Sequence, residues 1–178
     1  MKMNKSDLIQ LVTNQFQINS LLELIYNNAQ KGRLTELADQ FKNIKKLDLK
    51  NRPLYNQYTI ISSLYTFIAL PKEVIWDRIP KEMTINLLHE KWGFKNGWKV
   101  KNGKIDELKL HYLIRRLRNG INHGRINCNK ELVFSITDID TKNNKDQIDL
   151  EIEYNSLDKF TRALGFWIIT EDIDLKQL

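Results

Sequence analysis

Cysteine, glycine and proline are scarce in this chain, and long apolar runs are missing. Among 178 residues there are one cysteine (Cys128), seven glycines and three prolines. A single cysteine excludes an intrachain disulfide and a cysteine zinc cluster, and it favours a reducing compartment. The low glycine and proline content excludes a collagen-like chain or a low-complexity linker. The uncharged run Leu54–Pro71 is interrupted by Asn, Gln, Ser and Thr, whereas a membrane span needs about 20 predominantly apolar residues. With no secretory signal pattern either, we expect a cytosolic protein without a membrane partner.

The residues that are present suit one globular domain. Hydrophobic side chains make up 42% of the chain and charged ones 28%, which is enough for a core and too apolar for intrinsic disorder. We therefore expect a single domain over residues 1–178. Its charge is uneven, since residues 1–125 hold 22 Lys and Arg against 11 Asp and Glu, and residues 126–178 hold 6 against 11. The basic part would attract RNA. The acidic end would repel RNA or attract the basic part of a neighbouring protomer.

Apolar spacing predicts a mainly α protein, with a helical body over residues 1–125 and a β-hairpin plus terminal helix over 126–178. Ser20 and Glu23 match a capping box, Gly32 is a typical helix end, and Ser156 is a typical N-cap. The predicted helices cover residues 20–31, 34–47, 53–70, 72–78, 81–91, 105–123 and 157–170. The predicted strands cover residues 132–137 and 148–154, joined by a loop over 140–146.

Residues 92–103 contain two Asn-Gly turn signals and two tryptophans, Trp92 and Trp98, and predict a loop or a small hairpin. Lysines beside aromatic rings can hold nucleic acid by charge and stacking. Tryptophans in a connection more often cover the edge of a core, and this interpretation is preferred.

The predicted helix over residues 105–123 has two distinct faces at about 100° per residue. The apolar stripe, which should face the core, consists of Leu110, Leu113, Ile114, Leu117, Gly120 and Ile121. The opposite arc consists of His111, Tyr112, Arg115, Arg116, Arg118, Asn119, Asn122 and His123.

That polar arc is unusually basic, because no Asp or Glu occurs between Glu107 and Glu131. Arg115 and Arg118 are three residues apart on one face and repel each other, a cost that bound phosphates would offset. Arg118 and His123 point about 140° apart on a straight helix, so they would not hydrogen-bond to each other. They could line two edges of a groove, especially if two such helices meet across a symmetry axis.

The segment Arg118–Gly124, with the sequence RNGINHG, resembles the signature of the HEPN superfamily. That signature is an Arg separated by four to six residues from a His near the end of a bundle helix, often with Asn directly after the Arg. The resemblance implies an antiparallel helical bundle, here with a C-terminal β-hairpin and terminal helix. It also implies a homodimeric, metal-independent ribonuclease without a cofactor, acting as a toxin or phage-defence effector.

Carried onto this chain, the resemblance assigns catalysis to His123 and Arg118. His123 would be the general acid or base, and Arg118 would stabilise the phosphorane. Asn119 and Asn122 would orient His123 or the phosphate. Flanking RNA phosphates would contact Arg115, Arg116, Arg125 and His111.

One departure concerns regulation. Many HEPN toxins with a nucleotidyltransferase antitoxin have a Tyr two residues after the His, and this chain has Arg125 there. Control by adenylylation of that Tyr is therefore not expected, although an antitoxin or regulatory partner of another kind remains open. Because some HEPN proteins lack catalysis, two alternatives stay open. The chain could be a non-catalytic module that binds RNA, a nucleotide or an acidic protein, or a structural dimerisation domain.

The ionisable residues also have simpler interpretations. His123 could be only a C-terminal cap beside the helix stop Gly124. The three histidines lack metal-ligand spacing, so no zinc site is predicted. Six acids near the predicted hairpin could in principle bind Mg²⁺: Asp138, Asp140, Asp146, Asp149, Glu151 and Glu153. The alternation of Asp149, Glu151 and Glu153 with apolar residues instead favours the exposed face of a strand.

Overall fold

The computed structural model describes residues 5–33, 57–69, 76–101, 104–139 and 147–170, together with Thr35 and Asp39. In this part of the chain, helices predominate and a small antiparallel sheet accompanies them. The helices are α1 (Lys5–Gln30), α2 (Gln57–Leu64), α3 (Leu110–Asn122) and α4 (Tyr154–Thr170). The strands are β1 (Trp98–Val100), β2 (Ile126–Cys128), β3 (Val133–Ile139) and β4 (Gln147–Glu153).

Helix α1 is one uninterrupted helix, so the predicted capping box at Ser20 is wrong. Ser20 lies in the helix interior, where the extended backbone of an N-cap is absent. The carboxylate of Glu23 instead accepts a hydrogen bond from Arg162 Nη2 of α4 at 3.1 Å. The predicted end at Gly32 is confirmed, with Gly32 N–H bonded to Ala29 O and Arg33 N–H to Asn28 O, which is the Schellman pattern.

The predicted helix over residues 53–70 is confirmed where the structure describes it. Helix α2 continues into a π-helical turn, Tyr65–Ala69. This turn places the Tyr65 hydroxyl where it donates to Ile121 O of α3 at 2.8 Å. Apart from Thr35 and Asp39, the predicted helix over 34–47 lies outside the described residues, as do the first residues of the 53–70 and 72–78 helices.

The helix predicted over residues 81–91 does not form. Short 3₁₀ turns, Ile85–Leu87 and Glu90–Trp92, take its place. The reason is a backbone pairing, because Ile85 N–H bonds to Leu108 O at 3.0 Å and Leu110 N–H to Met83 O at 2.9 Å. Those groups are therefore unavailable for helical hydrogen bonds.

The sheet has the order β1-β4-β3-β2 and is antiparallel throughout. The predicted pair β3 and β4 is confirmed, while β1 and β2 were not predicted. The loop predicted over 140–146 lies outside the described residues. Leu132, expected to point inward with Phe134, is exposed and has a positive φ of 59° just before β3 begins. Because Leu132 lies in this exposed turn, it does not belong to the alternating inward side chains of β3.

Trp92 and Trp98 are buried beside Phe160 of α4, which confirms the core-edge interpretation. The face of α4 that carries Leu157, Phe160, Leu164, Trp167 and Ile168 is also buried, but Ser156 is not the N-cap of this helix. Helix α4 begins at Tyr154, and the Ser156 hydroxyl donates to Asn96 O at 2.6 Å.

One apolar cluster includes residues of all four described helices and of β1, β3 and β4. No helix among the described residues is long and apolar enough to cross a membrane.

Candidate functional site

Helix α3 presents the motif, and its apolar stripe is buried as predicted. The helix begins at Leu110 rather than Ile105, because Ile105–Glu107 form a separate 3₁₀ turn. The buried stripe consists of Leu110, Leu113, Ile114, Leu117, Gly120 and Ile121. Burial of these side chains fixes the rotation of the helix and therefore the direction of its polar arc.

The end of α3 holds His123 in a defined turn. Gly124 N–H bonds to Ile121 O at 3.0 Å and Arg125 N–H bonds to Gly120 O at 2.8 Å, the hydrogen bonds of a Schellman motif. Gly124 has a φ of 65°, where glycine is favoured. His123 occupies the C-cap position with an exposed side chain, so the capping geometry and access to solvent are both present.

Arg116 does not lie on the exposed arc as predicted. Its side chain is 2% exposed, and Nη1 donates to Asp138 Oδ2 at 2.7 Å. Asp138 lies on β3 on the same side as Phe134 and Ile136, which are buried. Arg116 therefore neutralises a buried carboxylate, and its wheel position alone could not reveal this partner.

Asn119 connects this buried pair to Arg118. Asn119 Nδ2 donates to Asp138 Oδ2 at 3.2 Å, and Asn119 Oδ1 accepts from Arg118 Nη1 at 3.2 Å. Arg118 is partly buried, and its Nε has no hydrogen-bond partner within the described protein. Hydrogen bonds thus connect the Asp138 carboxylate on the sheet to the Asn119 amide, and the Asn119 amide to the Arg118 guanidinium.

A cavity of about 250 Å³ lies at the end of α3. Five of the predicted site residues line it, together with Asp138 and Ile139: these five are Arg115, Arg116, Asn119, His123 and Arg125. Arg125 is partly exposed, and its Nη1 lies 4.0 Å from Asp138 Oδ1. The cavity is thus lined by three guanidinium groups, an imidazole and one carboxylate, a composition suited to an anionic ligand.

Three predicted residues do not line this cavity. Arg118 reaches it only through Asn119, and Asn122 is exposed at the last position of α3. His111 packs against Trp76 with ring centroids 3.8 Å apart. Burial lowers the pKa of His111, with further lowering by Lys81 and Arg115, so this imidazole is less suited to a phosphate contact than a solvated one.

Asp138 lines the cavity and Tyr65 contacts the backbone of α3, and neither role was predicted from the sequence. Asp138 shares the inward alternation of Phe134 and Ile136, which was the available signal. Tyr65 donates a hydrogen bond to α3 from a π-helical turn, and no sequence pattern indicated that turn. By contrast, Glu151 and Glu153 are exposed on β4 as predicted. Among the described residues, no group of three or more His, Cys, Asp or Glu side chains is arranged to hold a metal ion.

Comparison with known proteins supports the resemblance to the HEPN superfamily. A model of the family described as HEPN pEK499 p136 matches residues 1–175. No curated protein and no solved structure shows a significant match. The family match spans nearly the whole chain, including α3 and the sheet beneath it. The chain therefore belongs to the HEPN pEK499 p136 family, within the HEPN superfamily.

Proposed function

We propose that the protein is a metal-independent endoribonuclease of the HEPN type, acting as a toxin or phage-defence effector. The observation that carries the proposal is the position of His123, which is exposed at the end of α3 and lines a cationic cavity. An imidazole exchanges protons near neutral pH, and guanidinium groups bind phosphate oxygens. The family match adds the superfamily context in which such a motif is expected.

In the proposed reaction, His123 accepts the proton of a ribose 2'-hydroxyl. The 2'-oxygen attacks the adjacent phosphorus, the bond from phosphorus to the 5'-oxygen breaks, and the leaving 5'-oxygen takes up a proton from solvent water. The products are a 2',3'-cyclic phosphate and a 5'-hydroxyl. Arg118 stabilises the additional negative charge of the pentavalent phosphorane. Asn119 and Asn122 support His123 and the phosphate, and Arg115 and Arg125 contact flanking phosphates.

A second protomer completes the proposed site. Within one chain, His123 lines the cavity and Arg118 does not. Pairing of two α3 helices across a two-fold axis would bring both motifs into one cleft. Because Arg118 does not line the cavity beside His123 within one chain, a single protomer also fits the second candidate function. This is a module that binds RNA, a nucleotide or an acidic protein without cleaving it.

The test is cleavage of single-stranded and transfer RNA by the purified protein in EDTA. His123→Ala should lower the cleavage rate about 100-fold or more, because general acid–base catalysis is lost. Arg118→Ala should lower it by a similar factor. Lys99→Ala is the matched control, because it removes one positive charge from an exposed residue of β1 and should leave the rate unchanged.

The outcomes separate the candidates. An unchanged cleavage rate in a folded Arg118→Ala or His123→Ala variant would contradict the catalytic role proposed for that residue. Tight RNA binding that weakens steeply with salt, without turnover, would select the binding module. A domain that neither binds nor cleaves RNA, and that is insensitive to both substitutions, would be the structural alternative.

A further inference from the structure

The carboxylate of Asp138 has an uncharged hydrogen-bond partner in addition to its cationic neighbours, Arg116 and the more distant Arg125. Asp138 is 3% exposed on β3, and Arg116 Nη1 already pairs with its Oδ2 at 2.7 Å. A buried charge needs such a partner. The same oxygen also accepts from Asn119 Nδ2 at 3.2 Å, a neutral group that adds no charge compensation.

This extra contact determines the orientation of the Asn119 amide. An ionised carboxylate can only accept hydrogen bonds, so Asn119 must turn its NH₂ group toward Asp138. Its Oδ1 then faces Arg118 Nη1, which can only donate, at 3.2 Å. The reversed amide would place oxygen against oxygen and NH₂ against guanidinium, and both contacts would be repulsive.

The backbones of α3 and β3 approach closely enough to allow this arrangement. A Cβ atom at Gly120 would lie 2.7 Å from Ile136 Cγ2 and 3.1 Å from Thr137 O. The absence of a side chain at Gly120 therefore lets the helix rest on the strand beside Asp138. A second link follows the motif, where Thr137 N–H bonds to Arg125 O at 3.1 Å.

We propose that Asp138 is a positioning residue that holds Arg118 through Asn119. The contribution to catalysis rests on the proposed ribonuclease function, whereas the contribution to geometry does not. Asp138 selects the amide orientation, Asn119 restrains the guanidinium, and Arg118 is thereby prepared for the phosphate before RNA binds. Such preorganisation acts mainly on the rate of the chemical step.

The experiment compares two variants in which the buried ion pair is removed. Arg116→Met/Asp138→Asn can still offer an acceptor oxygen to Asn119 Nδ2, while the donor Arg118 Nη1 favours the same orientation of the Asn119 amide. Arg116→Met/Asp138→Leu offers no acceptor. Both variants lack the ion pair, so neither leaves an unpaired buried charge. If Asp138 acts only through its charge, by pairing with Arg116 and Arg125, the two folded variants will have equal kcat and equal rotation of the Arg118 guanidinium.

The cleavage arm measures kcat and KM in EDTA. We expect kcat of Arg116→Met/Asp138→Leu to be at least about tenfold below that of Arg116→Met/Asp138→Asn, with KM within about threefold. Adding Asn119→Ala to both variants should abolish this difference, because the connection is already broken. Equal kcat values in folded, cleaving variants with Asn119 present would overturn the proposal.

The second arm does not depend on activity. Nitrogen NMR of the Arg118 guanidinium reports its rotation, which should be restrained in the Asp138→Asn double variant and averaged in the Asp138→Leu double variant. Equal rotation in both would overturn the proposal even if RNA is cleaved. A difference in rotation in a protein that does not cleave RNA would support the positioning and reject the ribonuclease function.

Discussion

His111 is a partly buried imidazole with cationic neighbours and an aromatic partner. It packs on Trp76, and its pKa is lowered by burial first and then by Lys81 and Arg115. His111 binds a proton more readily in the unfolded chain than in the folded protein, because its pKa is lowered by folding. Protonation of His111 therefore favours unfolding, and the folded state is favoured at neutral pH and above, where His111 is neutral in both states. That contribution is lost as the pH falls below the unfolded pKa of about 6.5.

We therefore expect the free energy of unfolding of the wild type to fall more steeply than that of His111→Gln between about pH 7.5 and 5. Urea unfolding of both proteins across this range provides the measurement. Parallel pH profiles, or a wild type that gains stability relative to the variant in acid, would contradict the assigned environment of His111.

Arg115 and Arg116 show what a helical wheel can and cannot predict. The wheel placed both on the polar arc, and Arg115 is indeed exposed. Arg116 is buried because Asp138, 22 residues further along the chain, lies opposite it on β3. Asp138 follows Phe134 and Ile136 in the alternation of β3, and this inward position was not inferred from the sequence; only the packing of α3 on the sheet identifies the arginine that the carboxylate meets.

Among the secondary-structure elements, local signals predicted α3, α4 and the β3–β4 pair. Their apolar periods are long, and burial decides their orientation. Strand β1 is three residues long and forms through pairing with β4, where Lys99 lies opposite Glu151. The segment around Thr84 is likewise held by residues 108–110. Such distant pairings leave no periodic pattern in a short segment, so the sequence alone did not predict them.

The turn after α3 has a second copy in the chain that serves as a control. Gly124 and Gly32 both follow helices in Schellman turns, with φ of 65° and 68°. A Cβ atom at either position would meet no atom within 4 Å. Alanine therefore introduces backbone strain without a steric clash at both positions.

We expect Gly124→Ala and Gly32→Ala each to lower the free energy of unfolding by about 1–2 kcal/mol, measured by urea titration. RNA cleavage should fall in Gly124→Ala, because the strained turn holds His123, and should be unchanged in Gly32→Ala. A loss of cleavage of the same size in both variants would show that the turn after α3 has no special role.

The molecule as a whole separates its charges along the chain. The basic residues 1–125 include α3 and the motif, and the acidic residues 126–178 include β3, β4 and α4. Asp138 shows that the two parts are not electrically independent, since this carboxylate from the acidic part neutralises Arg116 beneath the motif. The remaining cavity cations, Arg115 and Arg125, lie beside the exposed His123.

The chemistry of the cleaved ends tests the central claim most directly. A defined RNA oligonucleotide is incubated with the wild type in EDTA, and the products are identified by mass spectrometry. We expect fragments ending in a 2',3'-cyclic phosphate, paired with fragments that begin with a 5'-hydroxyl, and none of either with His123→Ala. Fragments with a 3'-hydroxyl and a 5'-phosphate, or cleavage that occurs only when a divalent metal is added, would contradict it.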